Sequence, residues 1–158
     1  MFKYVYIICT VLSMYLFYLC NKFTEQLMIK DNLAGGGGNG NPGLFPWLFL
    51  FPFFLGFLLG TFIYLLKWMR RLKKKSIYYI LFSSLVLSSI IVIITYKNAN
   101  NLRERIIEVH PSFTNAKQID LLNTFSNDIF FNPYTFILVI LIVLFLSSIF
   151  IAITKFRD

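Results

Sequence analysis

The residues able to do chemistry are few, and their spacing keeps them apart. The one histidine, His110, stands among Glu104, Arg105 and Glu108. A zinc-type site needs three or four converging donors, so a lone imidazole without a second strong ligand reads as a surface residue. One His and a scatter of acids cannot build a Ser-His-Asp, Cys-His, paired-carboxylate or HExxH constellation either. Cys9 and Cys20 share a helix face but lie about 16 Å apart along its axis, too far to bridge. The expectation is a non-enzyme, with no metal and no cofactor.

Three further patterns have both a plain and a functional reading. AGGGGNGNPG, residues 34–43, lacks the Lys-Ser/Thr of a phosphate-cradling loop and follows no strand. It reads as a flexible linker, or as a backbone clamped by a neighbouring protein. KWMRRLKKK carries Lys67, Arg70, Arg71, Lys73, Lys74 and Lys75 without an acid. A topological signal is the preferred reading over a nucleic-acid patch, with anionic phospholipids such as cardiolipin as head-group partners. Small residues recur at intervals of four: Gly56 with Gly60, Ser84 with Ser88, Ser148 with Ala152. In lipid this spacing permits close backbone approach, so these residues are candidates for helix packing. A polar path through Ser83, Ser84, Ser88 and Ser89 is the sharper alternative.

The elements that hold these residues follow from apolar content. The chain has 158 residues, 58% apolar, 19% aromatic and 14% charged. A soluble domain is about 25% charged, and a disordered chain is not this apolar. Apolar stretches at 4–20, 44–66, 76–96 and 134–154 approach or reach the roughly 20 residues that cross a hydrocarbon core of about 30 Å. The first is short, and a cleaved signal peptide is its competitor. No small-x-small site precedes Asn21, which favours a retained anchor. The fold class is therefore all-α, a polytopic integral membrane protein with four transmembrane helices in a single membrane domain.

Charge gives the orientation. Placing 67–75 inside puts both termini inside, N-in/C-in, and gathers the whole net charge of +8 on that face. The loops 21–43 and 97–133 then lie outside, and the charges within each cancel. Trp47 and Trp68 bracket the second span, while Tyr78, Tyr79, Tyr96 and Tyr134 mark the ends of the others, as interfacial anchors do. Pro46 and Pro52 end an interfacial segment or kink the second helix. Within 97–133, Leu102, Ile106, Val109 and Phe113 carry the third helix on to Pro111. Leu121, Leu122, Phe125 and Ile129 predict a second short amphipathic helix.

No ionisable residue falls inside the core of any span, which disfavours a stand-alone pump or a haem protein. Phe, Ile, Lys, Asn and Tyr are abundant and Ala is scarce, the bias of an AT-rich genome. In this composition, as in FPWLFLFPFFLGF and SIYYILF, the chain resembles hydrophobic proteins encoded in ciliate and other protist mitochondrial genomes. That resemblance implies an accessory subunit of a respiratory complex or ATP synthase in the mitochondrial inner membrane, with other membrane-protein subunits as partners and no nucleic acid. The competing expectations place the chain in a low-GC bacterial plasma membrane. One is a small channel or transporter self-associating through Gly56/Gly60 and the serines, the other a receptor or immunity factor reading a ligand with 97–133.

Overall fold

Aliphatic and aromatic side chains make each stretch too apolar to leave its backbone unpaired in lipid, and a helix satisfies every peptide group internally. The computed structural model describes residues 2–25, 41–109 and 115–155, which are mostly helical, with no strand among them. Its helices are α1 (Phe2–Lys22), α2 (Trp47–Met69), α3 (Lys74–Val109), the single turn α4 (Asn127–Phe130) and α5 (Pro133–Lys155). Four of them, α1, α2, α3 and the stretch from α4 through α5, are long and apolar enough to cross a membrane. The readings of the glycine run up to residue 40 and of His110 fall outside the described residues.

The boundaries differ from the apolar stretches for local reasons. Asn41 caps a 3-10 turn over Pro42–Leu44, accepting from the Gly43 amide, and Pro46 stands at the N-cap of α2. The helix therefore starts at Trp47 rather than residue 44, and Pro52 sits within its opening turns. At the other end α2 runs on to Met69 and α3 begins at Lys74, so Lys67, Lys74 and Lys75 are helical and the turn proper is 70–73. The third helix continues past Tyr96, as the stripe predicts. Its 36 residues measure about 54 Å, well beyond a hydrocarbon core of about 30 Å.

The second stripe does not become a helix. Ser126 Oγ accepts from the Asn123 amide and donates to Leu121 O, and Asn123 Oδ1 accepts from the Phe125 amide. These short polar side chains take the backbone groups that helical bonds would have used, leaving α4 as the only helical turn in residues 120–130.

α2 and α5 lie at the centre, with α1 against α2 and α3 against α5. Ring contacts fix the directions. Phe17 meets Phe54 and Phe2 meets Tyr64, so α1 and α2 are antiparallel. Phe57 stacks on Phe136 and Phe62 meets Phe150, so α2 and α5 run the same way. One core joins α1, α2 and α5 around Leu16, Phe17, Phe57, Phe131 and Phe136, and a second joins Met69, Ile77 and Ile151 where α2, α3 and α5 converge. Trp47, expected as an interfacial anchor, packs inward against Phe54 and Phe131, while Trp68 remains exposed.

Candidate functional site

The structure gathers the basic residues at one end of the bundle. Met69 is fully buried against Ile77 and Ile151, and half-buried Leu72 packs on the same cluster, which pins the turn between α2 and α3. The Arg71 amide donates to Trp68 O and the Leu72 amide to Met69 O, closing the turn tightly. Two carbonyls left by this closure are met from outside it: Lys155 Nζ donates to Arg70 O at 2.8 Å and to Leu72 O at 3.0 Å. A cation thus sits at the C-terminal end of α2, where the helix dipole favours it, and ties the far end of α5 to the link. Lys67 Nζ lies 5.9 Å from the centre of the Phe2 ring, which brings the start of α1 to the same end.

With the backbone so occupied, the side chains of Lys67, Arg70, Arg71, Lys73, Lys74 and Lys75 are all exposed. Lys75 Nζ stands 5.8 Å over the Tyr79 ring, and Trp68, Tyr78 and Tyr79 are exposed beside them. Cations ringed by amphipathic aromatics are the side-chain set that meets a head-group layer. Lys155 belongs with this set. Its role was invisible in sequence because its partners are carbonyls some eighty positions away.

The small residues fall into two seams. A Cβ at Gly56 would sit 2.7 Å from Cys9 Sγ, and one at Gly60 would overlap the Tyr6 ring, so both glycines exist to admit α1. Tyr6 and Thr61 share a hydroxyl hydrogen bond of 3.1 Å across this seam. The Gly-xxx-Gly face is consumed inside the chain, which leaves it unavailable for the self-association one sequence reading gave it. In the second seam Ser148 is buried, with Oγ 3.7 Å from Met69 Sδ, and Ala152 is half-buried beside it. Ser84 is buried on α3, whose main neighbour is α5.

The hydroxyls of the spans are turned onto their own helices. Ser13 donates to Cys9 O, Ser84 to Leu81 O, Ser89 to Leu85 O, Ser147 to Val143 O and Ser148 to Leu144 O, all between 2.7 and 3.0 Å. Of the proposed serine path, Ser83 and Ser89 are exposed, Ser88 is half-buried and Ser84 is buried within the chain. Ser88 Oγ is buried without a hydrogen-bond partner. Cys9 and Cys20 are both buried and unbridged.

A polar knot that sequence reasoning missed lies at the opposite end. Asn127 is fully buried and exchanges amide hydrogen bonds with Asn41, at 2.6 and 2.9 Å, while its Nδ2 also reaches Phe23 O at 3.3 Å. Gly43 passes so close that any Cβ there would overlap the Asn127 amide. Nearby, Glu25 N donates to Thr124 O and Thr124 Oγ1 meets Glu25 Oε2. Residues from both loops are thereby stitched over the core. The available signals were the Asn-Pro-Gly turn and the Ser-Asn-Asp start of α4, but neither announces its partner.

Among the described residues no group of His, Cys, Asp and Glu converges as a metal site would require. Compared with protein-family models, with curated proteins and with solved structures, the chain matches none.

Proposed function

We propose that this chain is a non-catalytic structural subunit of a larger membrane-embedded, energy-transducing complex, a respiratory-chain complex or ATP synthase of the mitochondrial inner membrane. The observation that carries this reading is how the polar groups of the spans are spent: most of their hydroxyls bond to the backbone of their own helix. Such groups rigidify and pack helices but present little to a substrate, proton or ion. Large apolar side chains along α3, among them Phe82, Leu87 and Ile93, are exposed and give neighbouring subunits or lipid a surface to cover.

On this reading the basic end faces the matrix and holds anionic phospholipid such as cardiolipin. Lys67, Arg70, Arg71, Lys73, Lys74 and Lys75 contact the phosphates, and each cation contributes about 1 kcal/mol of attraction. The exposed aromatics beside them support this reading.

The test is gentle solubilisation through a small tag after Asp158, then native sizing and mass spectrometry of what co-purifies. Migration in an assembly far heavier than 18.5 kDa, with energy-transducing subunits at fixed stoichiometry, is the expected result. Migration alone at every detergent strength would overturn the proposal.

A further inference from the structure

α1 and α5 both pack on α2 but make little direct contact with each other. Phe17 wedges between them, its ring edge-on to Phe131 at 5.7 Å and to Phe136 at 5.1 Å. Beyond that wedge an open groove of about 500 Å³ runs between the helices, walled by Met14, Phe17, Tyr18, Phe136, Ile137 and Ile140. The groove is lined almost wholly by carbon. Water has no partners there, so the filling must be apolar.

Its upper end is chemically different. Asn21 and Asn132 stand at the rim, where Asn21 Nδ2 donates to Phe131 O at 2.9 Å and Asn132 Nδ2 to Asp128 O at 2.9 Å. Lys22, exposed in the last turn of α1, folds back so that Nζ is 5.5 Å from the centre of the Tyr18 ring. The ammonium therefore stands over a ring that itself walls the groove, one turn from the rim residue Asn21. Glu25, the acid nearest in sequence, is engaged by Thr124 Oγ1 at 3.1 Å.

We infer that this groove binds one anionic phospholipid, an acyl chain lying between α1 and α5 and the phosphate meeting Lys22. The division of the site into a carbon-lined trough and a polar rim with Lys22 beside it matches the division of a phospholipid into chain and head group. This site lies at the end of the bundle opposite Lys67–Lys75 and stands independently of any assembly the chain belongs to.

The experiment is native mass spectrometry of the full chain in detergent, titrated with phosphatidylglycerol or phosphatidylcholine. A background with Lys67, Arg70, Arg71, Lys73, Lys74 and Lys75 all changed to Gln removes the competing cations of the basic end. Phosphatidylglycerol is expected to bind more tightly than phosphatidylcholine, and Lys22→Gln should weaken it about fivefold, to the level of phosphatidylcholine. Ile137→Trp, at an exposed wall position, should displace both lipids without lowering the melting temperature. Equal affinity for the two lipids, or indifference to either substitution, would overturn the inference. So would efficient disulfide dimerisation of Ile137→Cys in a Cys9→Ala, Cys20→Ala chain, because a second copy would then be the occupant.

Discussion

Asn127 shows how much one side chain can decide when it is buried with its hydrogen bonds complete. Its amide is fully enclosed, paired with Asn41 and close against Gly43, and it reaches Phe23 O. Asn127→Ala removes these bonds, so Asn41 Nδ2 loses its partner while Asn41 Oδ1 keeps the Gly43 amide. The expected cost is about 2 kcal/mol, seen as a lower SDS-unfolding midpoint together with faster amide exchange in 41–46 and 123–126. Exchange unchanged in both segments would mean the knot does not hold the loops. Phe57 teaches a related lesson. Within an unbroken aromatic stretch it looks like any lipid-facing ring, yet it is 2% exposed and stacked on Phe136, while Phe49 and Phe53 face outward. Nothing local distinguishes the three, since only the positions of α1 and α5 decide which ring is enclosed.

Among the elements, the α1–α2 pair depends on absent side chains. Gly60 faces the Tyr6 ring so closely that Gly60→Val must push the helices apart or force Tyr6 off its rotamer. Overpacking of this kind costs about 1–3 kcal/mol, measurable as a fall in the SDS-unfolding midpoint. Leu59→Val, on the exposed side of the same turn, should leave the midpoint unmoved. The spans and this seam were legible in the sequence because hydrocarbon thickness fixes a length and close approach demands small residues at a fixed interval. The 121–129 stripe misled for an equally physical reason. Leu121, Leu122, Phe125 and Ile129 have helical spacing, but Asn123 and Ser126 lie between them and offer the backbone other partners. Trp47 is half-buried, and its ring contacts with Phe54 and Phe131 could not be read from its type, which suits an interface and a core alike.

For the whole molecule, contacts bring Phe2 to Lys67 and Lys155 to Arg70 and Leu72, so the ends of α1 and α5 share the basic face with the link. If that face is the inner one, single cysteines at Lys73 and at Asp120, in a Cys9→Ala, Cys20→Ala chain, should react from opposite sides of a sealed membrane. The Lys73 position is then reached only from the matrix or cytoplasmic side, and labelling of both positions from one side would refute the arrangement. The central place of α5 also has a consequence in time. Ribosomes deliver α1 and α2 first, and that pair can close at once through Gly56 and Gly60. α3 then enters the bilayer with its main neighbour not yet made, and Met69 and Ile77 wait for Ile151 to complete their cluster. α5 is thus the keystone of the described helices: it joins the α1–α2 pair to α3, and Lys155 ties its far end to the link, so a change that loosens α5 parts the bundle on both sides at once.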